Sequence, residues 1–565
     1  MVLRSNSKVN LRHGRDIRNI PLFHPTSPMK IDIQFRHIRG LLAGACLSLV
    51  AACATSPSHA PPQSQAVSSL QAARSTRISP EQRIALYLQA AATAAPLLGS
   101  GKEDSSARET YNTAAAELTI LLRSTSGGSL WNKPLTVSNG GAVYQLQYQK
   151  GNNQGVWAPE YFTDFVSTSS VKSDLVKATN LRAGVGGALV GVHKTDPREE
   201  FSPLVGIAAA VTTTLSFQGQ KATLVLNDPT KRATVSMANV TRPLAANFSA
   251  PLCYYPNPNA TLLGLMAALR PGSHPEREGI FLLQPYDPSR IPVFYVHGLA
   301  STPYIWRNPI NQIDEDPVLR ANYQAVVFAY PTGNPISYSA ERFRHELAKF
   351  EKRYPMPRGF VLVSHSMGGL VSQMQTTTIT RDNWERFDRA KADALFAKAT
   401  PDCLVSRCVT FKANPKAKRV VFVATPHRGA NMADQSIGEF AMRLIKLPIT
   451  ITSTVTSTLG NSISFITGNA KDPIPDGVGG LRPSNPMLHV LDTEKVLPPC
   501  HSIIGNDNKP GPLKESSDGV VPYWSSHLSY AKSQVIVPGP HSCYELPESI
   551  AELKRILHLH LKESR

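Results

Sequence analysis

Hydrophobic residues repeat along this chain with different periods in different regions, and the first clear pattern is helical. The predicted helix begins after Ser79, which caps it. Pro80 suits the first turn, and Gln82 completes a capping box with Ser79. Apolar residues then recur at helical spacing through an alanine-rich run. The pattern predicts a helical hairpin over residues 79–125. Its two helices are expected over residues 80–97 and 105–122.

From residue 130 to 285 the pattern changes to short alternating runs separated by glycine, asparagine, aspartate and proline. Alternation with a period of two is typical of strands that bury one face. The region therefore predicts an antiparallel β-rich accessory module. Its clearest strands are expected over residues 143–149, 208–217 and 222–226. The glycines within 184–191 form no dinucleotide-binding fingerprint, because Leu189 holds the third glycine position, and we interpret them as strand or bulge glycines.

From residue 286 to 565, apolar runs of strand length alternate with helical stretches. The runs cover residues 292–296, 324–329, 360–363, 419–424, 502–505 and 534–537. Such alternation predicts an α/β domain with a doubly wound, mostly parallel sheet covered by helices on both faces. Functional loops are then expected at the carboxyl ends of the strands.

Two insertions interrupt this alternation, near residues 376–418 and 431–497, and either is able to cover a site at the sheet edge. The second carries an apolar stripe at helical spacing, formed by Ile437, Phe440, Ala441, Leu444 and Ile445. A lid would turn this stripe toward an acyl chain, but a core helix has the same pattern. The two interpretations stay open.

The N-terminal region has the features of an export signal. Arg36 and Arg39 precede an apolar stretch, residues 40–52, that is too short to span a bilayer. The stretch ends in Leu-Val-Ala-Ala followed by Cys53, and this ending resembles a bacterial lipobox. The resemblance implies that a signal peptidase removes residues 1–52 and that Cys53 carries a lipid.

A lipidated Cys53 implies export and anchoring to the cell envelope, and Ala54 after it resembles the pattern of outer-membrane lipoproteins. Residues 53–78 are rich in Ala, Ser, Pro and Gln and are expected to form a flexible lipidated tether. Met29 begins a segment with the proportions of a complete lipoprotein signal, so it is an alternative start. A plain secretory signal with an incidental cysteine is the other interpretation.

The net charge of +18 raises the question of nucleic-acid binding. Without residues 1–52 the net charge is +12, and the basic residues are spread rather than clustered. The sequence has neither zinc-finger spacing nor a basic helix interleaved with aromatic residues. We therefore expect no nucleic-acid partner, no metal site and no organic cofactor.

Five cysteines follow Cys53, an odd number for a compartment that permits disulfides. Cys403 and Cys408 are close in sequence, and we expect the bridge between them. Cys500 precedes one strand and Cys543 follows its neighbour, so these two are expected at opposite ends of the sheet.

The most informative motif is the stretch from Gly359 to Leu370, which reads GFVLVSHSMGGL. A serine held on a sharp turn between a strand and a helix needs small residues two positions before and after it. Ser366 has Ser364 before it, where glycine is usual, and Gly368 after it. The stretch therefore predicts a nucleophile elbow with Ser366 as the nucleophile.

Further motifs follow the predicted strands in order. They are His297-Gly298-Leu299, Ala329 to Gly333, Thr425 to Gly429, Ser517-Asp518-Gly519 and Gly539-Pro540-His541. Together with the elbow they resemble the α/β-hydrolase family, and within it bacterial lipases and esterases and the GPI-inositol-deacylase-like group, over about residues 286–565. The resemblance implies a serine hydrolase of carboxylic esters.

A serine hydroxyl needs a base within hydrogen-bond reach, and the base needs a carboxylate to orient it. The order required in this family is serine, acid, histidine, which Ser366, Asp518 and His541 satisfy. Asp507 is a rival acid because it directly follows a strand, but Asp-Gly-x-Val around Asp518 matches the acid loop of lipases. For His527, between the acid and the last strand, a structural role is expected.

The family's geometry implies an oxyanion hole made by the backbone amides of Leu299 and Met367. His297 then supports the loop that carries Gly298 and Leu299. We expect ester substrates that are hydrophobic or lipid-like. The alternatives are acyl transfer or amide hydrolysis on the same three residues, and a catalytically silent binding protein of the envelope.

Overall fold

The computed structural model describes most of the chain beyond residue 60. It describes residues 61–99, 104–149, 160–255, 278–397, 402–430, 479–507 and 510–564, except for the single positions 129, 132, 197, 204 and 238. The signal region, Cys53 and the apolar stripe of the second insertion, from Ile437 to Ile445, lie outside the described residues.

Three helices precede the first sheet: α1 (Pro62–Ala73), α2 (Pro80–Ala94) and α3 (Ser105–Ser124). The capping box predicted for α2 is present. The Ser79 hydroxyl accepts from the Gln82 amide at 3.2 Å, and the Gln82 side chain accepts from the Ser79 amide at 3.2 Å. Since α2 and α3 pack together, the predicted helical hairpin is confirmed.

Helix α1 lies within residues 53–78, where the composition predicts a flexible tether, so the prediction is wrong for residues 62–73. The buried face of α1 consists of Ala66, Leu70 and Ala73. These residues recur at helical spacing, but two of them are alanines and form no visible apolar stripe. The small side chains of Ala66 and Ala73 let α1 pack closely against α2. The folded region therefore begins by residue 62 rather than at residue 79.

A six-stranded sheet follows the three helices, in the strand order β1-β2-β7-β6-β5-β3. Its strands are β1 (Leu135–Asn139), β2 (Ala142–Gln149), β3 (Asp164–Ser167), β5 (Gly187–His193), β6 (Ile207–Gln218) and β7 (Lys221–Asn227). All pairs are antiparallel except β2 and β7, which are parallel, so the predicted antiparallel module is nearly correct. Two small ribbons join β4 (Leu181–Arg182) to β10 (Ala246–Asn247) and β8 (Thr234–Met237) to β9 (Val240–Pro243), before helix α4 (Ala250–Tyr254).

Helix α3 packs directly on this sheet. The Tyr111 hydroxyl donates to the Leu215 carbonyl and accepts from the Leu215 amide, both at 2.7 Å. A side chain at Gly187 would place its Cβ 2.5 Å from the backbone nitrogen of Ala116 in α3. Gly187 therefore permits close approach of helix and strand, and the glycines near it are structural, as the sequence indicates.

A seven-stranded sheet forms the α/β domain, in the order β11-β13-β12-β14-β15-β16-β17. Its strands are β11 (Gly279–Leu282), β12 (Ile291–Val296), β13 (Tyr323–Ala329), β14 (Phe360–His365), β15 (Ala417–Val423), β16 (Cys500–Asn506) and β17 (Ser533–Pro538). The six strands from β12 onward are parallel and lie where the sequence predicts them.

Strand β11 corrects the predicted boundary at residue 286. It pairs antiparallel with β13. Residues 279–282 were predicted to belong to the accessory module, but this pairing makes them part of the α/β domain. A four-residue edge strand carries too little alternation to be assigned to one sheet or the other from its pattern. Only its pairing with β13 shows where it belongs.

Helices cover both faces of the seven-stranded sheet, which confirms the predicted doubly wound arrangement. They are α5 (Arg307–Ile313), α6 (Pro317–Asn322), α7 (Ile336–Arg353), α8 (Met367–Thr376), α9 (Arg381–Phe387), α10 (Arg389–Phe396), α11 (Leu404–Val409), α12 (Pro486–Asp492), α13 (Tyr523–Ser526) and α14 (Pro547–Glu563). Alternate residues of β12 enter different cores. Phe294 packs on the side of α7 and α8, whereas Val293 and Tyr295 pack on the side of α5 and α14.

The first insertion, residues 376–418, contributes to the core through α9, α10 and α11. Trp384 is almost fully buried there, and its indole donates to the Val409 carbonyl at 2.9 Å. The disulfide expected between Cys403 and Cys408 is not formed. Cys403 caps α11 through the Ser406 amide, while Cys408, five residues on, lies on another side of the helix within the core.

The β-rich module contacts the α/β domain through hydrogen bonds from helix α5. The Asn311 amide donates to the Ala178 carbonyl at 2.7 Å, and its oxygen accepts from the Ser249 hydroxyl at 2.6 Å. The Lys177 ammonium also pairs with Glu545 at 2.7 Å. The module is thus joined to the domain by polar contacts, of which the bond between Ser249 and Asn311 is buried. Among the described helices, none has both the length and the apolar character needed to cross a membrane.

Candidate active site

The turn at Ser366 has the strained geometry that its sequence predicts. Ser366 has a φ of 54° and a ψ of −129°, outside the common regions for a residue with a side chain. It lies between β14 and α8 and is 5% exposed. Ser364 stands two positions earlier, where the motif usually has glycine. Its larger side chain is accommodated there, since it is fully buried and its hydroxyl donates to the Val421 carbonyl at 3.3 Å.

Ser366, His541 and Asp518 form one chain of hydrogen bonds. His541 Nε2 lies 2.9 Å from Ser366 Oγ, and His541 Nδ1 lies 2.7 Å from Asp518 Oδ2. An ionised carboxylate only accepts, so Nδ1 carries the proton and Nε2 accepts from the serine hydroxyl. The structure therefore brings together the three residues predicted from the order of the motifs.

The acid loop is built around Asp518. The carboxylate is 3% exposed, and its other oxygen accepts from the amides of Val520 at 2.8 Å and Val521 at 2.7 Å. Gly519 has a φ of 89° and supplies the turn expected of it. The rival Asp507 takes a different position, where its amide donates to the Ser517 carbonyl at 2.9 Å and braces the same loop.

The loop from His297 to Leu299 lies against the Ser366 turn. A Cβ at Gly298 would come within 2.8 Å of Ser366 Cβ, and a Cβ at Gly368 within 2.3 Å of the His297 carbonyl oxygen. Both glycines are therefore required by close approach rather than by backbone torsion. Within the described part of the chain, the amides of Leu299 and Met367 donate to no protein acceptor. They remain available for a ligand.

His297 contacts Tyr330 through its ring and its carbonyl. Its ring stacks on Tyr330 with centroids 4.5 Å apart, and the Tyr330 hydroxyl donates to the His297 carbonyl at 2.8 Å. Burial lowers the pKa of His297 to about 4, so the ring is neutral at pH 7. The Thr332 hydroxyl accepts from the Ala300 amide at 3.1 Å. The motif from Ala329 to Gly333 therefore holds the residue that follows Leu299, a role that the sequence alone did not indicate.

His365 is a contributor that sequence reasoning missed. Its Nε2 donates to the backbone carbonyl of His541 at 2.8 Å, and its ring centroid lies 4.7 Å from those of both His541 and Tyr544. Burial, together with nearby His541, holds the pKa of His365 well below its usual range. The side chain thus fixes the loop of His541 to the nucleophile turn. Its position beside Ser366 was the one available signal.

The competing residues have structural surroundings. His527 stacks on Tyr523 and lies 2.5 Å from the Gln534 side-chain oxygen, in agreement with the structural role expected of it. His427 is buried and hydrogen bonds to Gln373 at 2.8 Å. Burial raises the pKa of the Cys543 thiol to about 12, so this neighbour of the acid loop is not a thiolate nucleophile.

An open cleft of about 530 Å³ adjoins the hydrogen-bonded residues on the histidine side. Ile305, Val520 and Tyr544 contribute apolar surface to it, and Asp518 is the acidic residue among the described ones that line it. Among the described residues, no group of three or more His, Cys, Asp or Glu is placed to hold a metal ion.

Comparison with protein-family models finds no match, and comparison with curated proteins finds none either. Among solved structures, the chain is similar to Bacillus licheniformis lipase BlEst2 in mature form, at 17% identity and a TM-score of 0.27, over 50% of this chain and 97% of that one. It spans about half of the propeptide form of that lipase, 51%, at 17% identity and a TM-score of 0.26 over 47% of this chain. Staphylococcus hyicus lipase matches at 14% identity and a TM-score of 0.29, over 49% of this chain and 95% of that one. At these TM-scores the likeness carries no conclusion about activity.

Proposed function

We propose that this protein is a serine hydrolase of the α/β-hydrolase kind that cleaves carboxylic esters through an acyl-enzyme. The observation that carries the proposal is the hydrogen-bond chain from Ser366 Oγ through His541 to Asp518. Ser366 attacks the ester carbonyl while His541 Nε2 takes the hydroxyl proton, and Asp518 stabilises the imidazolium that forms.

The tetrahedral intermediate places negative charge on the former carbonyl oxygen, and the amides of Leu299 and Met367 are its proposed donors. Collapse of the intermediate breaks the bond to the alcohol, which leaves with the proton held by His541. Water then attacks the acyl-enzyme with His541 as base, and the carboxylic acid is released. These steps use groups of the chain, the ester and one water molecule.

The proposal is tested by labelling the protein with a fluorophosphonate, which phosphonylates an activated serine. We expect stoichiometric labelling of the wild type and loss of labelling in Ser366→Ala, because His541 activates this hydroxyl alone. Ser301→Ala changes a serine that lines the cleft beside His541; it is the matched control and should label normally. Labelling of Ser366→Ala at the wild-type rate would show that the nucleophile is elsewhere.

The proposed substrates are hydrophobic or lipid-like esters, because apolar side chains line much of the adjoining cleft. Hydrolysis rates across esters of increasing acyl length measure this preference. Acyl transfer to an added alcohol and hydrolysis of the matching amide, measured beside them, address the alternative reactions. A protein that reacts with none of these would be a binding protein instead.

We further propose that the mature protein is exported and held at the cell envelope by a lipid on Cys53. The lipobox-like ending of the apolar stretch before Cys53 supports this. Expression of the full chain should place the wild type in the membrane fraction and Cys53→Ser in the soluble fraction, with Cys46→Ser as the matched control. Equal membrane association of wild type and Cys53→Ser would contradict the anchor.

A further inference from the structure

A second cavity, of about 260 Å³, lies between the β-rich module and the α/β domain. It is near the start of β12, because Arg290 directly precedes that strand, and Ser366 is not among its lining residues. Both parts of the chain contribute to its wall. The polar and aromatic side chains that matter for binding are Asp228, Lys231, Phe248, Arg290, Asp314 and Arg320.

Two of these charged groups, Lys231 and Asp228, have partners close by. The Lys231 ammonium pairs with Asp287 at 2.6 Å across the boundary between module and domain. Asp228 accepts from the Thr230 amide at 2.8 Å and from the Thr230 hydroxyl at 2.6 Å, so its carboxylate is used within its own turn. The remaining charges of the wall are two guanidinium groups and one carboxylate.

Among the described residues, no carboxylate lies within ion-pair distance of either guanidinium group, although several act on them from farther away. Arg290 and Arg320 are 7% and 8% exposed, and the Nε atom of each is buried with no hydrogen-bond partner. Arg290 donates to the Arg320 carbonyl at 2.6 Å, while Arg320 donates to the Asp314 carbonyl and lies 3.8 Å from the centre of the Phe248 ring. Across the described residues, neither arginine has an ion pair within 4 Å.

Burying a charge without a counter-charge is costly, and buried charges in proteins are therefore usually paired. Burial lowers the pKa of both Arg290 and Arg320, because removing a guanidinium group from water disfavours its charged form. Asp314 is the remaining acidic group of the wall, and burial raises its pKa to about 6 in spite of the two arginines. Asp228 and Asp287 also favour the charge of Arg290, and Asp316 that of Arg320, but none of these carboxylates forms an ion pair with either guanidinium group among the described residues.

We propose that this cavity binds a small organic anion. Its carboxylate or phosphate group pairs with Arg290 and Arg320, and its apolar body packs against Phe248, Leu252 and Ile310. A planar guanidinium is suited to either oxyanion, because its donors match two oxygens at once. The site is separate from Ser366, so the inference does not rest on the proposed ester hydrolysis.

The test is calorimetric titration of the whole folded protein with three probes: inorganic phosphate, phenyl phosphate and benzoate. We expect saturable binding of phenyl phosphate, benzoate or both, and weaker binding of inorganic phosphate, because it lacks the apolar body. Phenyl phosphate and benzoate distinguish the two oxyanions.

Variants locate the binding. Arg320→Gln and Arg290→Gln should each weaken it about tenfold to a hundredfold, since each removes a charged hydrogen-bond donor. Asp314→Asn removes the one unpaired negative charge of the wall and should strengthen it. The control Arg198→Gln removes a highly exposed arginine from an isolated surface pair and should leave binding unchanged.

If neither organic probe binds saturably to the wild type, the proposal is wrong. It is also overturned if the arginine variants, shown to be folded by circular dichroism, bind as tightly as the wild type. Weaker binding by Asp314→Asn would mean that the carboxylate attracts the ligand, and would replace the anion site with a site for a cationic or hydroxyl group. Because Asp314→Asn removes no donor, it keeps the test valid even if an arginine variant does not fold.

Discussion

Asp518→Asn is expected to lower the turnover of ester hydrolysis about 10⁴-fold while the protein remains folded. The carboxylate receives the Nδ1 proton of His541 at 2.7 Å and thereby leaves Nε2 free to accept from Ser366. An asparagine that presents its amide NH₂ to His541 would stabilise the opposite tautomer, with the proton on Nε2. That tautomer does not take the proton of the serine.

The matched control is Asp507→Asn, which changes the rival acid in the loop beside it. The backbone amide of residue 507 donates to the Ser517 carbonyl, and the substitution keeps this hydrogen bond. We therefore expect turnover within a few-fold of the wild type. Steady-state turnover of a chromogenic ester, with unfolding midpoints as the check on folding, measures both variants. A reversed ranking, with Asp507→Asn inactive and Asp518→Asn active, would assign the acid to Asp507.

Gly298→Ala is expected to lower turnover about 10²- to 10³-fold, the usual effect of losing one oxyanion donor. The added Cβ would lie 2.8 Å from Ser366 Cβ and 3.1 Å from His365 Nδ1. The nucleophile turn is held by β14 and α8, so the loop has to move instead. Its movement carries the Leu299 amide away from the carbonyl oxygen.

Gly187→Ala provides the matched control for this steric change. Its Cβ would meet the Ala116 backbone at 2.5 Å, in the module rather than at the site. We expect Gly187→Ala to lower the unfolding midpoint but to keep turnover per folded molecule. Gly298→Ala with wild-type turnover, confirmed by its sequence and folding, would remove Leu299 from the proposed oxyanion hole.

Much of the α/β domain is predictable from the sequence because its strands are buried on both faces. Such strands appear as continuous apolar runs, and six of them lie where those runs predict. The site residues were predictable for a related reason. The turn at Ser366 tolerates few residue types, so a short stretch of sequence is enough to predict it.

Other features left no local signal. Helix α1 is buried through alanines, and β11 is too short for its pattern to choose a sheet. The contact of His365 with the His541 carbonyl joins residues 176 positions apart. Cys403 and Cys408 form no disulfide because of their placement around α11, which spacing alone did not show.

By itself, the sequence determined the type of the α/β domain, the order of its strands along the chain, and Ser366 and His541 as residues of the site. These depend on local periodicity and on turns with strict steric demands. Only the tertiary structure decided that Asp518, and not Asp507, contacts His541, and that His365 holds that histidine's loop. It alone also placed Arg290 and Arg320 in one cavity wall with no ion pair to any described residue, because such contacts arise from packing between segments that are distant in sequence.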